Sequence, residues 1–375
     1  MFSLLKRKKP NVIIILVDGV RYDAIDHAPY YQELKKESIF FPQLITYAPY
    51  TIASLYAIFS GMNGNKNGVN GYYKAFSFDK ENCFTLAQYL KENGYYTEAE
   101  STGEGVTPSP GFDKYRLHDE SKTDFLKRHS EILYQIRNKS PFLLFIRYGS
   151  LHVNLVRDVI KKYSDFDKEY FNKDKNFENY LKWVNDSGDY LKSIIEKIKE
   201  LGLYNNSIII ILSDHGTSVG DKVGERAYGV YLYEYTLRCF LYLIGKDFPK
   251  GIEINKLIRN IDILPTILDI LKLKEKEGYK TIQGKSFLPF IHGDTENRIA
   301  YSETGGLGGP TPSPELHNVQ SIRTNEWKLI YNKTSKEKEL YNLQNDKEEK
   351  NNLIGKEAEI EKHLFEEIQK QDNNV

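Results

Sequence analysis

The chain has little cysteine. Cys83 and Cys239 are its only two cysteines among 375 residues, too few for a disulfide framework, which suits a reducing compartment. Long apolar runs are also missing, since no stretch approaches the roughly 20 consecutive apolar residues that a membrane-spanning helix needs. In Met1–Pro10 the basic residues follow a short apolar patch, which is the wrong order and length for a secretory signal peptide. We therefore expect a cytoplasmic protein with no transmembrane segment.

A net charge is absent as well. Lys and Arg together number 52, and so do Asp and Glu, so no overall field attracts nucleic acid and no nucleic-acid partner is expected. With 375 residues, 40% hydrophobic and 28% charged, the chain can bury a large core as one domain or one domain with a small appendage. The composition does not indicate an oligomeric state.

What the sequence does contain is an alternation of strand and helix patterns. Short apolar runs rich in β-branched residues are typical of strands buried on both faces, as in a parallel sheet covered by helices. The runs are Asn11–Val17, Pro141–Ile146, Ser207–Leu212 and Arg238–Ile244, and the helical patterns are Thr85–Asn93, Ser121–Arg137 and Phe177–Leu201. The last helix is followed by Gly202, a common residue after a helix end. The pattern predicts an α/β fold with a mostly parallel central sheet flanked by helices.

The character of the chain changes near residue 300. Segment 302–314 is too rich in Gly and Pro for a helix or central strand and is interpreted as a connector. Trp327–Tyr331 alternates like a half-exposed strand, and Glu357–Gln371 has the pattern of a charged amphipathic helix. We therefore predict a catalytic domain over residues 1–300 and a small α+β subdomain over residues 301–375 packed on it.

Polar groups follow three of the predicted strands. Asp18 comes directly after the first strand, His152 follows the second, and Asp214 with His215 follows the third. Each of them alone could be turn chemistry or an ordinary loop residue. Open α/β sheets place their sites beyond the carboxyl ends of the strands, so the shared position favours a common site.

Thr51 opens the apolar run that ends at Gly61. Threonine is a favoured N-cap residue, so simple helix capping is one explanation. A helix N-terminus also suits a phosphate or a developing alkoxide, and a threonine hydroxyl becomes a nucleophile when a metal or base activates it. Asp18, Asp214 and His215 could hold that metal, and their oxygen and nitrogen atoms suit Mn, Mg, Zn or Ca.

Tyr47–Gly61 has the spacing of the box C-x-P-S-R-x-x-L-x-T-G, with Thr51 at the cysteine and Leu55 at the arginine. Other segments match motifs that occur in the same order along the chain. They are Asn11–Asp23, Trp183–Gly216, Leu232–Arg238, Asp262–Leu268, Gly284–Leu288, and Glu339–Leu343 with Asn351–Leu353. Over residues 11–355 the chain therefore resembles the sulfatase branch of the alkaline phosphatase superfamily.

The resemblance implies roles for individual residues. One divalent metal ion, Mn, Mg, Zn or Ca, would be held by Asp18, Asp214 and His215, with the Thr51 oxygen completing the site. His152 falls where the family often has a histidine that contacts substrate, and it could act as a catalytic acid or a substrate ligand. Arg21 is a further candidate for substrate binding.

Departures from the family pattern shape the predicted chemistry. Sulfatases oxidise the cysteine of the box to formylglycine, and Thr51 cannot be converted in that way. Gly19 replaces a second aspartate, Leu55 replaces the arginine, and Ala227–Tyr231 lacks the usual lysine or histidine. With threonine in place of cysteine and one acidic group after the first strand, the chain resembles the phosphoglycerol transferases and lipoteichoic acid synthase.

We therefore predict from the sequence a metal-dependent phosphodiesterase or phosphotransferase that acts through a covalent phosphothreonine at Thr51. Its substrate would be a small-molecule or glycan phosphoester, such as a phosphorylated glycan, polyol or lipid-head precursor. Two alternatives stay open. One is a sulfuric-ester hydrolase that does not use formylglycine, and the other is an inactive sulfatase-like protein that binds a partner through the same cleft.

Overall fold

Two sheets organise the chain. The computed structural model describes residues 9–171, 173–305 and 318–373. Its strands are β1 Asn11–Val17, β2 Ile39–Ile45, β3 Tyr96–Ser101, β4 Lys114–Leu117, β5 Phe142–Tyr148, β6 Ser207–Leu212, β7 Arg238–Ile244, β8 Ile252–Glu253, β9 Ile258–Arg259, β10 Ala300–Thr304, β11 Val319–Arg323, β12 Trp327–Asn332 and β13 Lys338–Asn342. Its α-helices are α1 Pro29–Glu37, α2 Thr51–Ser60, α3 Gly64–Asn67, α4 Leu86–Glu92, α5 Phe125–Ile136, α6 Ser150–Leu155, α7 Lys173–Glu200, α8 Glu234–Leu237, α9 Ile263–Leu271, α10 Leu288–Ile291 and α11 Ala358–Asn373.

The larger sheet has the order β4-β3-β5-β1-β6-β7-β2-β8, and β9 pairs with β2 beside this path. The central strand β1 lies parallel to both of its neighbours, β5 and β6. Strand β7 is antiparallel to both β6 and β2, so β2 again runs in the direction of β1. The predicted α/β fold with a mostly parallel central sheet is confirmed.

Both faces of the large sheet are buried. Ile13 and Ile15 of β1 pack on one face with residues of α1, α5 and α7. Val12 and Ile14 pack on the opposite face with residues of α2, α4 and α9. Because a strand turns successive side chains to opposite faces, a run with no polar residue is what a sheet covered on both sides requires.

Several elements differ from the sequence prediction. Strand β3 was not predicted because it carries Glu98 and Glu100, and both carboxylates are buried and paired with basic side chains. The helix expected from Ser121 starts at Phe125, where the Asp124 side chain accepts a hydrogen bond from the Lys127 N–H at 3.0 Å. Capping by aspartate fixes a helix start more sharply than apolar periodicity does.

The smaller sheet is antiparallel in the order β10-β11-β12-β13, and α11 contacts β11 and β12. The strand and helix predicted in this part of the chain are present as β12 and α11. Residues 306–314 of the Gly- and Pro-rich segment lie outside the described residues, and the division at residue 300 stays a prediction. Among the described helices, none combines the length and the apolar character that crossing a membrane requires.

Candidate active site

The candidate site lies where parallel strands of the large sheet end. Asp18 follows β1 directly, and Asp214 follows β6 after one residue. Thr51 is the first residue of α2, the helix that follows β2. Because β1, β2 and β6 run in the same direction, their carboxyl ends reach the same edge of the sheet. The topology therefore brings together residues that are far apart in the sequence.

Asp18, Asp214 and His215 form a buried group. One ligand atom from each residue lies within 4.8 Å of the others. His215 Nε2 is 3.6 Å from Asp18 Oδ1 and 3.7 Å from Asp214 Oδ2. His215 Nδ1 lies 2.8 Å from the carbonyl oxygen of Gly216. Since a carbonyl only accepts, Nδ1 carries a proton, and Nε2 is the ring nitrogen that faces the two carboxylates.

This group fits a divalent cation. Asp18 Oδ1 and Asp214 Oδ2 are buried and make no hydrogen bond within the described residues. Leaving buried carboxylate oxygens without a partner is costly, and a cation between them removes that cost. Two carboxylates and a neutral imidazole are suitable ligands for such an ion. The three residues predicted from the sequence as metal ligands are therefore brought together.

Thr51 faces the same group. Its Oγ1 lies 3.2 Å from His215 Nε2 and 3.4 Å from Asp18 Oδ2. Tyr50 occupies the N-cap position of α2, and its side chain makes no capping hydrogen bond. The capping explanation is therefore not supported, because the Thr51 hydroxyl is directed to the buried charges and not to the N–H groups of its own helix.

Arg147 completes the charge balance and was not predicted from the sequence. It is buried near the end of β5, and its Nε lies 2.7 Å from Asp18 Oδ2, to which its Nη2 also donates. The available signal was an arginine at the end of an otherwise apolar run. Such a residue is rarely buried without a charged partner.

These charges act on the two carboxylates in opposite directions. Burial alone would raise the pKa of Asp18, but the positive charges of Arg147, His215 and His152 outweigh it and lower the pKa to about 2. Burial and the negative charge of Asp18 raise the pKa of Asp214 above its ordinary value. A second positive charge beside Asp214 would restore its ionised form, which again suits a bound cation.

His152 lies beside this group, in the first turn of α6. Its Nδ1 is 3.2 Å from the hydroxyl oxygen of Tyr228, and its Nε2 is 3.4 Å from Glu120 Oε1. The ring of Tyr228 packs against that of His215, with centroids 4.7 Å apart. Neither Glu120 nor Tyr228 was predicted as a site residue, because only the folded chain brings their loops to this edge of the sheet.

Arg21 is held elsewhere. Its guanidinium pairs with Asp23 at 2.6 Å and with Asp221 at 2.8 Å, and it donates to the carbonyl oxygen of Thr217 at 3.2 Å. These partners occupy the donors that a substrate would need, and no contact joins its side chain to Thr51. A role for Arg21 in substrate binding stays a prediction that the geometry does not support.

The departures from the sulfatase pattern have structural reasons. At Gly19 a β-carbon would lie 3.0 Å from Thr217 Oγ1 and 3.3 Å from Leu151 Cδ2, and the backbone φ is +71°. A second aspartate is therefore sterically unfavourable here. Leu55 is fully buried in the core on the α2 side of the sheet, and Arg147 supplies a guanidinium from β5 instead.

Comparison with protein families decides the assignment. The family model described as sulfatase matches residues 10–273. This chain belongs to the sulfatase family. A second model, described as the C-terminal part of N-sulphoglucosamine sulphohydrolase, matches residues 228–374. The family normally uses a divalent metal, in agreement with the grouping of Asp18, Asp214 and His215.

Characterised relatives carry sulfatase names. Arylsulfatase K of Bos taurus is 27% identical over 186 residues, which cover 48% of this chain but only 33% of that relative. The ulvan-active sulfatase of Formosa agariphila is 25% identical over 399 aligned positions, covering 92% of this chain and 76% of that relative.

Solved structures share the fold over nearly the whole chain. BT4656, solved in complex with its substrate D-glucosamine-2-N,6-O-disulfate, has a TM-score of 0.77 and 18% identity and covers 98% of both chains. The phosphonate monoester hydrolase of Agrobacterium radiobacter has a TM-score of 0.77 and 14% identity, covering 98% of this chain and 96% of its own. At these identities the likeness concerns the fold alone.

The phosphodiesterase or phosphotransferase function expected from the sequence is wrong. The sulfatase model covers the whole candidate site, and arylsulfatase K and the ulvan-active sulfatase both carry that function in their names. The expectation rested on Thr51 together with the departures at Gly19, Leu55 and Ala227–Tyr231. A hydroxyl beside two carboxylates, an imidazole and a guanidinium can face any tetrahedral oxyanion ester, so it does not distinguish phosphorus from sulfur.

Proposed function

We propose that this chain is a sulfuric-ester hydrolase that removes sulfate from a sugar of a glycan without using formylglycine. One observation carries the proposal. The Thr51 hydroxyl stands at the formylglycine position of a sulfatase-family chain and faces the buried group of Asp18, Asp214 and His215. An inactive member of the family would not need to keep these buried ligand residues together.

Named relatives support a sugar sulfate as the substrate. One relative is an ulvan-active sulfatase, and the substrate bound in the related structure of BT4656 is a doubly sulfated glucosamine. A further related structure, BT1596, is described as a 2-O GAG sulfatase, with a TM-score of 0.79 and 16% identity, covering 98% of this chain and 92% of that chain. These names argue for a sulfated glycan as the class.

The charge of the site suits a sulfate ester. The sulfuryl group of such an ester carries one negative charge, spread over its terminal oxygens. A divalent cation held by Asp18, Asp214 and His215 supplies Lewis acid stabilisation of those oxygens when bound. Arg147 lies beside Asp18 and adds a fixed positive charge at the same place.

In this proposal Thr51 is the nucleophile. Its hydroxyl passes its proton to Asp18 Oδ2, which lies 3.4 Å away, and its oxygen forms a bond to sulfur while the bond from sulfur to the sugar oxygen breaks. His152 donates a proton to the departing sugar oxygen. Water then attacks the sulfur of the threonine sulfate and gives one proton to His152. The proton on Asp18 returns to the Thr51 oxygen as the bond from that oxygen to sulfur breaks, and hydrogen sulfate leaves.

Turnover of matched esters tests the proposal. Purified protein is incubated with Ca, Mg or Mn and with 4-nitrophenyl sulfate, 6-O-sulfated glucosamine or 4-nitrophenyl phosphate, and released sulfate and phosphate are measured. We expect sulfate release that stops when a chelator removes the metal or when Asp214→Asn removes a ligand. Asp269→Asn, which changes an exposed carboxylate on α9, is the matched control and should keep full activity. Faster release of phosphate than of sulfate would overturn the proposal.

A further inference from the structure

Glu120 lies between two polar side chains of the candidate site. It opens a 3-10 turn, Glu120–Lys122, which precedes α5. Its Oε2 accepts a hydrogen bond from Arg147 Nη1 at 3.0 Å, and its Oε1 is 3.4 Å from His152 Nε2. One carboxylate therefore contacts the buried cation of β5 and the imidazole of α6 at the same time.

The turn that carries Glu120 is itself held in place. The Asp119 carboxylate accepts hydrogen bonds from the Ser121 N–H at 3.0 Å and from the Ser121 hydroxyl at 2.6 Å. His118 Nδ1 lies 3.1 Å from Glu100 Oε1, which is fully buried on β3. These contacts fix the chain on both sides of Glu120, so its carboxylate is presented from a supported segment.

The end of β5 leaves room for this carboxylate. At Gly149 a β-carbon would lie 3.2 Å from Glu120 Oε2 and 3.5 Å from Arg147 Nη1. A side chain here would crowd the pair, since contacts of 3.0–3.4 Å are tighter than most real β-carbon contacts. A glycine between Arg147 and α6 therefore leaves space for the close approach of Glu120 to the strand end.

Glu120 also lies at one end of the contacts that orient its two partners, Arg147 and His152. Arg147 extends between Asp18 on one side and Glu120 on the other. The imidazole of His152 extends between Glu120 and the Tyr228 hydroxyl. A carboxylate that holds a histidine in one orientation improves proton transfer without taking part in it.

We propose that Glu120 is a positioning residue for the sulfuric-ester hydrolysis proposed above, on which this inference rests. It holds the guanidinium of Arg147 against Asp18, and it turns the imidazole of His152 toward the departing sugar oxygen. Glu120 does not touch the reacting atoms in this role. It acts through His152 on the bond that breaks and through Arg147 on the charge of the sulfuryl group.

A comparison of leaving groups tests this role. A sugar alkoxide leaves poorly and needs a proton from His152, whereas 4-nitrophenolate leaves without one. Replacing Glu120→Gln should therefore lower kcat for the sugar sulfate by at least about tenfold more than kcat for 4-nitrophenyl sulfate, because general acid catalysis contributes about 10²–10⁴-fold where it is needed. Glu120→Asp keeps the charge on a shorter side chain and should recover part of the loss.

A merely structural role gives a different result. Asp119→Ala removes the acceptor of both Ser121 hydrogen bonds and loosens the same turn but leaves the Glu120 carboxylate in place, so it should affect both substrates by the same factor. Thermal melting of each variant establishes that it is folded. Equal losses with the two substrates for Glu120→Gln, or no loss at all, would overturn the positioning role.

Failure of the proposed function is recognised separately. Wild-type protein that releases no sulfate from either substrate would refute the hydrolase proposal, and a crystal structure of Glu120→Gln would then decide the positioning role. We expect Arg147 and His152 to move from their wild-type positions while Asp18 and Thr51 stay in place. Unchanged positions of both side chains would contradict the positioning role of Glu120.

Discussion

Thr51 is the residue that separates the chemistry proposed for this chain from that of a sulfatase that uses formylglycine. A formylglycine hydrate carries a second hydroxyl that can expel sulfate, whereas threonine has one oxygen and its sulfate must be released by water. The metal-ligand group is nevertheless present, since Thr51 Oγ1 lies 3.4 Å from Asp18 Oδ2 and 3.2 Å from His215 Nε2. In the proposed mechanism the residue therefore changes how sulfate is released, while Asp18, Asp214 and His215 stay in place.

Substitution of Thr51 separates a chemical role from a structural one. Thr51→Ala should abolish sulfate release by the folded protein because the nucleophile is gone, while its free energy of unfolding falls by only about 1 kcal/mol, the usual contribution of a hydrogen bond. Thr51→Ser should retain part of the turnover, since a primary hydroxyl reaches the same position. Turnover and urea unfolding of the three proteins provide the measurement. Full activity in a well-folded Thr51→Ala protein would remove the nucleophile role and leave only the metal group.

At the scale of single residues, the sequence could predict which side chains lie near the strand ends. It could not predict which side chains from other parts of the chain contact the same site. Asp18 follows β1 directly, and Asp214 and His215 come two and three residues after β6, so a shared edge of the sheet could be inferred before the structure was known. Arg147 directly follows the predicted run Pro141–Ile146 and was missed because a guanidinium is not a metal ligand. Glu120 and Tyr228 come from loops whose path depends on tertiary contacts, and no local pattern marks them.

At the element scale, α2 carries Thr51 and ends at a residue with special geometry. Gly61 follows the helix with φ +66°, and its N–H donates to the carbonyl oxygen of Ala57 at 2.9 Å. Its own carbonyl oxygen accepts the N–H groups of Gln283 and Gly284, each at 3.0 Å. The left-handed cap therefore ends the helix and ties it to the segment before α10.

Replacing this glycine should destabilise the protein by two effects that can be separated. Gly61→Ala places a residue with a side chain in the left-handed region, at a cost of about 1–2 kcal/mol, and its β-carbon would lie 2.8 Å from Ile282 Cγ2. Gly94→Ala is the matched control, since its φ is +83° and nothing lies within 4 Å of the added β-carbon. We expect Gly61→Ala to reduce the free energy of unfolding in urea more than Gly94→Ala does. Equal reductions would mean that Ile282 moves away freely.

A buried strand could be predicted from the sequence where its buried residues are also apolar. Strands β1 and β6 are apolar after their first residue, so their sequences indicate strands directly. Strand β3 has the sequence YTEAES and shows no apolar run. Its buried glutamates pair with side chains from β4, from α5 and from the loop between β4 and α5. The direction of β7 could not be predicted either, since an apolar run does not specify which way a strand crosses the sheet.

At the scale of the whole molecule, the two sheets meet at a buried carboxyl group. Glu303 lies on β10, and its N–H donates to the carbonyl oxygen of Tyr47, which follows β2, at 3.0 Å. Its carboxylate accepts hydrogen bonds from the hydroxyls of Tyr47 and Tyr301. Burial raises the pKa of Glu303 to about 7, although both tyrosine hydrogen bonds act to lower it. The small sheet is thus joined to the large one beside the segment that leads to Thr51.

This raised pKa predicts how stability depends on pH. The folded protein holds the proton of Glu303 up to about pH 7, whereas an unfolded glutamate loses it near 4.5. The contribution of this group to stability is therefore fully present below pH 4.5, declines as the pH rises and is lost above about 7, a change of up to about 3 kcal/mol at 1.36 kcal/mol per pKa unit.

Glu303→Gln cannot ionise and tests this dependence. We expect the free energy of unfolding of Glu303→Gln to increase relative to that of the wild type between pH 5 and pH 8. Glu225 and Glu349, whose pKa values are also raised to about 7, contribute equally to both proteins and cancel in the difference. Urea unfolding at several pH values measures the difference in free energy of unfolding between the two proteins. If this difference does not change with pH, Glu303 is ionised in the folded protein at pH 5 and does not link the sheets as a neutral acid.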